Sequence, residues 1–283
     1  MKSMKQFFKM YRTNLFFALG TTICIIWILI AIFANIITPY DPLGQDLVVR
    51  LKPPSQTHLF GTDRLGRDIL SRVIVGAKLS VSAGLITVIL AGTLGSIYGG
   101  IAGYAGGIVD DIMMRIAEMI LSFPALILAM VIGVILGPSL YNTLLALVIV
   151  AWPTYARVMR SAVISVKEND YVEASRALGA SNFRILVKEI LPNTIGLVVI
   201  IATLDIGNQI LFFSTLSFLG LGTPPPTPEW GAMVADGMDN FMQWWICTFP
   251  GLAILSMAIG ANFIGDGIRD FFRSKIEKRI LVG

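Results

Sequence analysis

Apolar runs of about 20 residues recur along this 283-residue chain and constrain its fold more than any other feature. A helix must be about that long to cross the roughly 30 Å hydrocarbon core of a bilayer. Only 14% of the residues are charged, whereas soluble domains carry about 25%. The sequence therefore predicts an all-α protein that crosses a membrane several times. Six spans are expected, at about residues 15–37, 79–101, 116–136, 140–158, 194–214 and 244–264.

The basic residues predict the orientation of these spans. Six spans place both termini on one side of the membrane, and 16 of the 22 basic residues fall in segments on that side. The positive-inside rule therefore places both termini in the cytoplasm. The remaining basic residues lie in the first outer loop, where aspartates partly balance them; they are Arg50, Lys52, Arg64, Arg67, Arg72 and Lys78.

A polar stretch between the fourth and fifth spans, residues 171–192, has the pattern of two short helices. Gly179 is expected to end the first helix, because glycine readily adopts the left-handed conformation found there. Ser181 or Asn182 is expected to cap the second helix and Pro192 to end it. Such a pair would project from the cytoplasmic face, where a soluble partner can grip it. The residues that share one face of the first helix are Tyr171, Ala174, Ser175 and Leu178.

This stretch resembles the signature of bacterial ABC-importer permeases. The resemblance rests on Glu173-Ala174-Ser175, on Gly179 and on Leu191-Pro192, with Ser175 where the family usually has alanine. In that family the stretch is a coupling helix that sits in a cleft of the ATP-hydrolysing subunit. The resemblance implies that the ATPase-coupling residues are Tyr171, Glu173, Ala174, Ser175, Leu178, Gly179, Leu191 and Pro192.

Three further segments are similar to the second-subunit type of dipeptide, oligopeptide and nickel permeases: residues 58–78, 216–231 and 262–270. The resemblance implies a type I importer fold in the bacterial plasma membrane. It implies half of a translocation path for a peptide, glutathione, nickel or a metal chelate. The implied partners are a similar second permease, two ATPase subunits that bind ATP and Mg²⁺, an extracytoplasmic binding protein and membrane lipid.

The chain is expected to divide near residue 78. Residues 1–78 would hold the N-terminal tail, the first span and an outer loop with an amphipathic helix. Residues 79–283 would form a core of five spans, with the coupling helices at about 168–192. Within the second span, small residues four apart predict a face that packs closely on another helix. They are Ala91, Gly95, Gly99 and Gly103.

Asp205 is the only acidic residue deep in an apolar run, and Asn208 and Gln209 are expected to share its face. Ionisable groups in hydrocarbon are costly and usually face a bundle interior or a wet path. One hypothesis is that the three residues line the path of a polar, cationic solute. The alternative is a hydrogen bond that fixes helix packing. In the last outer loop, the residues expected to contact a binding protein are Pro225, Pro226, Glu229 and Trp230.

Several other functions lack their sequence signals. There is no phosphate-binding P-loop, so no nucleotide or other cofactor is expected on this chain itself. His58 is the only histidine, and no catalytic or metal-binding pattern surrounds it. The basic charge fits membrane orientation rather than nucleic-acid binding. The main alternative function is a secondary transporter or channel without an ATPase, and an intramembrane enzyme is the weaker one.

Overall fold

The computed structural model describes residue 11 and residues 14–282, with side chains as far as residue 270. In this part of the chain the regular elements are helical, apart from one β-bridge between Thr62 and Asp68. The helices are α1 Leu15–Ile37, α2 Ile69–Ala105, α3 Gly107–Leu121, α4 Ala125–Leu136, α5 Leu140–Lys167, α6 Asp170–Ala177, α7 Asn182–Ile185, α8 Leu191–Phe218, α9 Trp230–Met238 and α10 Trp245–Val282. The basic side chains that lie outside the described residues are Lys2, Lys5, Lys9, Arg12, Arg273, Lys275, Lys278 and Arg279.

Five stretches are long and apolar enough to cross a membrane: α1, α2, α5, the continuous Asn182–Phe218 and α10. Helices α3 and α4 together are apolar enough for a sixth span, but they meet at 85°. The all-α, polytopic prediction is confirmed, and the span expected over 116–136 is divided between α3 and α4. Pro124 explains the break, because it precedes α4 as its cap and cannot donate a backbone N–H inside a helix.

The small-residue face of α2 packs against α5, a partner that the sequence left open. A β-carbon at Gly95 would collide with the carbonyl oxygen of Trp152, and one at Gly99 with that of Ala156. The missing side chains therefore let the two backbones touch, as small residues do in membrane bundles. We call this contact the α2–α5 seam.

The outer loop between α1 and α2 folds as a compact turn, so the predicted amphipathic surface helix is wrong. Asp63 accepts from the N–H groups of Leu65 and Arg67, at 2.8 and 3.0 Å. Such local bonds compete with a helix, and Gly66 turns the chain with a φ of +73°. The expected ion pairing is present, because Arg67 Nε lies 2.6 Å from Asp63 Oδ2.

Helix α9 connects the outer loop with the interior of the bundle. At its start, Trp230 donates from Nε1 to the carbonyl of Val73, one turn inside α2, at 2.9 Å. Near its end, Asp236 lies 3.4 Å from Arg64 and 3.6 Å from Arg67 in the outer loop. Helix α9 therefore contacts the first turns of α2 at its start and the outer loop near its end.

Helix α1 packs along α10. Trp27 donates from Nε1 to the hydroxyl of Ser256 at 2.9 Å, and a β-carbon at Gly20 would lie 2.6 Å from the carbonyl oxygen of Gly260. Helix α2 begins at Ile69 and runs without a break past residue 78. The division of the chain at that residue stays a prediction.

We expect Gly99→Ala to destabilise the protein relative to Gly100→Ala. At Gly99 the new methyl group meets the backbone of Ala156, whereas at Gly100 it lies 3.9 Å from the side chain of Met159. Overpacking of this kind costs about 1–3 kcal/mol. The neighbouring substitution serves as the control, because it carries the same gain in helix propensity. Thermal unfolding of the purified variants measures the difference, and equal midpoints would contradict a tight α2–α5 seam.

Candidate functional site

Helix α6 ends in the way that the sequence predicts. Gly179 has a φ of +81°, and its N–H donates to the carbonyl of Arg176 at 3.0 Å. The N–H of Ala180 donates to the carbonyl of Ser175 at 3.1 Å. These two bonds form a Schellman motif, which satisfies the last carbonyls of α6 and redirects the chain.

The second short helix continues into α8, so its expected end at Pro192 is wrong. Ser181 caps α7 as predicted, 3.4 Å from the N–H of Arg184. A π-helical turn, Leu186–Ile190, then places the N–H of Leu191 on the carbonyl of Leu186. Pro192 falls in the first turn of α8, directly after the π-helical turn, and the helix continues past it. Helix α7 is therefore joined directly to the start of α8, which is a membrane-spanning helix.

Helices α6 and α7 leave an apolar surface uncovered. Leu178 is 88% exposed and Phe183 is 77% exposed, whereas Val172 is fully buried and anchors α6 to the bundle. The face predicted from the sequence points away from the bundle, with only Ser175 half-buried. The exposed residues that we call the α6–α7 surface are Tyr171, Glu173, Ala174, Leu178 and Phe183.

Two hydrogen bonds tie α7 to the ends of α2 and α5. Tyr104, in the last turn of α2, donates from its hydroxyl to Asn182 Oδ1 at 2.8 Å. Lys167, the last residue of α5, donates from Nζ to the carbonyl of Tyr104 at 2.7 Å. Helix α7 is therefore attached to α2, and through Tyr104 to α5, as well as to α8. Sequence reasoning missed these residues, since the two bonds join positions 78 and 63 residues apart.

An ion pair joins α5 to α3 near the same end of the bundle. Arg160 donates from Nε and Nη2 to the two carboxylate oxygens of Asp110, both at 2.6 Å. A bidentate pair of this kind fixes geometry as well as distance. It therefore holds α3 against the segment of α5 that Gly103 also approaches, with a β-carbon there 2.8 Å from the carbonyl oxygen of Arg160.

Asp205 accepts two hydrogen bonds on a single oxygen. Tyr155, in α5, donates from its hydroxyl to Asp205 Oδ2 at 2.8 Å, and Gln209 donates from Nε2 to the same oxygen at 3.0 Å. The structure brings Asp205 and Gln209 together as expected, but Asn208 is exposed on another side of α8. The bond from Tyr155 is the interhelical contact that the packing hypothesis requires. The path hypothesis stays a prediction.

Glu229 and Trp230 are fully buried, so their predicted place on an exposed docking surface is wrong. Glu229 caps α9, accepting from the N–H groups of Gly231 and Ala232 at 2.9 Å each, and the hydroxyl of Ser80 donates to it at 3.1 Å. Burial raises the pKa of the Glu229 carboxyl, and the two N–H groups oppose that shift. The predicted docking residues that are exposed are Pro225 and Pro226.

The outer-loop histidine is engaged within its own loop. His58 Nδ1 lies 2.9 Å from Asp68 Oδ1. Across the described part of the chain, no group of three or more His, Cys, Asp or Glu side chains is placed to hold a metal ion. The arrangement around α6 and α7 is instead suited to binding another protein.

The bundle of spanning helices and its uncovered pair of short helices define a polytopic membrane protein. The chain belongs to the family of binding-protein-dependent transport system inner membrane components, whose model matches residues 94–278. Residues 3–54 match the N-terminal membrane domain of oligopeptide transport permease C. The resemblance found in the sequence is therefore confirmed.

Curated relatives cover nearly the whole chain. The probable D,D-dipeptide transport system permease protein DdpC of Escherichia coli K12 is 46% identical over 90% of this chain and 86% of its own length. The dipeptide transport system permease protein DppC of Haemophilus influenzae is 40% identical over 97% and 96%. The oligopeptide transport system permease protein OppC of Bacillus subtilis is 39% identical over 95% and 88%.

Family membership establishes the role of the chain in outline. It is a multi-pass permease subunit of an ABC importer in the inner membrane and is not itself catalytic. Permeases of this family work with ATPase subunits and a binding protein. The secondary-transporter alternative is therefore set aside.

We expect Tyr104→Phe to weaken the link between ATP hydrolysis and transport. The substitution removes one hydrogen bond to α7, worth about 1 kcal/mol, and keeps the ring. The assembled complex should keep its ATPases but show less stimulation of ATP hydrolysis by loaded binding protein. Tyr98→Phe is the matched control, because that hydroxyl donates to Met113 in α3 at 2.9 Å. Equal stimulation in both variants would show that the Tyr104 bond carries no coupling.

Proposed function

We propose that this chain forms half of the translocation path of an ATP-driven importer of short peptides. The observation that carries the proposal is the α6–α7 surface, uncovered at the base of α8 and bearing the residue pattern of an ATPase-docking segment. The names of the relatives favour dipeptides and oligopeptides over glutathione, nickel or metal chelates as the solute. A second, similar permease completes the path.

One ATPase subunit binds the α6–α7 surface of each permease. Leu178 and Phe183 supply apolar contacts, and Glu173 supplies a charged group that can accept hydrogen bonds. ATP and Mg²⁺ bind to the ATPases rather than to this chain. ATP-driven closure draws the two permeases' helix pairs together and opens the path outward. The contacts must differ in free energy between the two states for this to work.

The helical joint explains how that movement reaches the membrane. Because α7 passes through the π-helical turn into α8 without a loop, a rotation of α7 turns α8 as well. Leu191 and Pro192 lie at this joint rather than on the exposed surface of α6. Their role is to set the direction of α8 relative to the docked ATPase.

Asn208 supports a second permease alongside α8. Its side chain is exposed in the spanning part of the helix, where a polar group in contact with lipid is costly. We therefore place the partner subunit and the path on this side of α8. Lipid surrounds the opposite side of the bundle, where α1 exposes apolar side chains such as Ile32 and Ile36.

The outer face receives the binding protein. Pro225 and Pro226 are exposed there, as are Phe241 and Met242 in the turn between α9 and α10. No lysine or arginine occurs between residues 217 and 245, and Asp239 is exposed there, so this segment can meet a basic group on the docked protein. Buried Glu229 supports the face from below by fixing the start of α9.

We expect Gly179→Val to disconnect the ATPases. A β-carbon at Gly179 meets no atom within 4 Å, so the cost comes from the positive φ and not from a clash. Left-handed backbone costs about 1–2 kcal/mol for an ordinary residue. A free-energy cost of about 1.4 kcal/mol lowers an equilibrium constant about tenfold. We therefore expect about tenfold less ATPase to stay bound to the variant. Copurification of the ATPases and peptide uptake measure it.

Gly179→Asn is the control for that experiment. Asparagine tolerates positive φ better than valine does, so this variant should keep most of its ATPase binding and uptake. If Gly179→Val transports at the parental rate with its ATPases bound, the docking role of α6 is wrong.

The proposed orientation, with both termini cytoplasmic, can be tested by labelling. In a background where Cys24 and Cys247 are replaced by alanine, Thr227→Cys should react with an impermeant thiol reagent added to intact cells. Glu168→Cys should react only after the membrane is opened, because it lies exposed between α5 and α6. The opposite pattern would invert the topology and remove α6 from the cytoplasm.

A further inference from the structure

The spanning part of α8 holds a carboxylate without a charged partner. Asp205 is half-exposed and takes part in none of the ion pairs of the described residues. Its two hydrogen bonds, from Tyr155 and Gln209, both end on Oδ2. A charge in this setting is costly unless a cation compensates it. The free oxygen, Oδ1, is therefore available to a positively charged group.

A second acceptor without a donor lies in the same cluster. Gln209 is only 4% exposed, and while its Nε2 donates to Asp205, its buried Oε1 has no hydrogen-bond partner. Buried acceptors without donors are rare, because each one forfeits the hydrogen bond that it makes with water. The cluster thus combines a negative charge with two unused acceptors. A cation that carries several N–H donors complements it.

An apolar groove between α2 and α8 runs toward this cluster, and none of the cluster's three polar side chains lines it. The groove has a volume of about 680 Å³ and extends from Phe183, next to the α6–α7 joint, to Ala202, one turn before Asp205. Beyond the cluster the two helices close, since a β-carbon at Gly84 would collide with the side chain of Ile210. Asp205 therefore lies one turn beyond the last residue of α8 that lines the groove, on the side where the two helices close.

We propose that Asp205 and Gln209 bind a primary ammonium group of the transported solute, with its apolar remainder in the α2–α8 groove. This inference rests on the proposed import of peptides and names the end of the peptide that is recognised. An ammonium group has three N–H donors, so it can serve Asp205 Oδ1 and Gln209 Oε1 together. Tyr155 acts as a positioning residue, because its hydroxyl holds Oδ2 and thereby orients Oδ1. Ca²⁺ or Mg²⁺ fits less well, since each takes six or more oxygen ligands.

Binding can be measured without a peptide. We would titrate n-hexylammonium into the purified permease–ATPase complex in lipid nanodiscs and compare it with n-hexanol, which has the same chain and no charge. The parental complex should bind hexylammonium at least tenfold more tightly than Asp205→Asn does, and hexanol should not distinguish the two. Gln209→Leu, which removes the orphan acceptor and keeps the volume, should also weaken binding. Equal hexylammonium affinity in the parent and Asp205→Asn would overturn the proposal.

Thr203→Val is the matched control on the same helix. Its hydroxyl bonds only to the carbonyl of Val199, at 2.7 Å, and it is no part of the cluster. This variant should bind hexylammonium as the parent does. A similar loss in Thr203→Val and Asp205→Asn would mean that any polar change in α8 disturbs the groove, and the site assignment would fall.

Uptake of L-alanyl-L-alanine into proteoliposomes, with its binding protein present, separates this inference from the import proposal. Asp205→Asn should lower the uptake rate about tenfold while basal ATP hydrolysis and assembly persist. If the parent imports this dipeptide and Asp205→Asn does so at the same rate, the ammonium site is wrong and peptide import stands. If the parent imports neither this nor other short peptides, the import proposal fails, and the hexylammonium titration still decides whether the site exists.

Discussion

The α2–α5 seam is the contact on which the other features depend. Because Gly95 and Gly99 have no side chains, α5 lies directly on α2, and its residues are carried to fixed positions on either side. One of them, Tyr155, reaches Asp205 in α8, and another, Arg160, reaches Asp110 in α3. A wider spacing would move both polar groups away from their partners. Backbone packing therefore sets the polar contacts, although it contributes no polar group itself.

A continuous helical connection joins the docking segment to the membrane-spanning part of the chain. The segment that the family uses to meet its ATPase is joined to α8 through the π-helical turn Leu186–Ile190, and Tyr104 and Lys167 join it to α2 and α5. π-Helical turns often occur at functional positions in helices. Here the turn lets a proline enter the helix without breaking it. Helices α2, α5 and α8 therefore share one attachment to the docking segment.

Prediction from the sequence succeeded where a signal is local and failed where the answer depends on distant contacts. Gly179 ends α6 and Ser181 caps α7, and each acts within its own turn. Both roles could therefore be predicted from the sequence. Two prolines show the limit of prediction from the sequence. Pro124 lies between two helices that meet at 85°, whereas Pro192 lies in the first turn of α8, and the helix continues past it. Each outcome is set by which carbonyls the neighbouring N–H groups reach, and one-dimensional patterns do not contain that information. The bond from Tyr104 to Asn182 was unreadable for the same reason.

Two carboxylates in apolar surroundings show why burial alone does not reveal a role. Glu229 meets two backbone N–H groups at a helix start and a serine hydroxyl, so its acceptors are served and it fixes the start of α9. Asp205 has donors on one oxygen only and remains half-exposed. In the sequence both are acids near apolar runs, and the pattern does not show which donors reach them. Counting the donors that reach each oxygen leaves Asp205 as the carboxylate with capacity to bind.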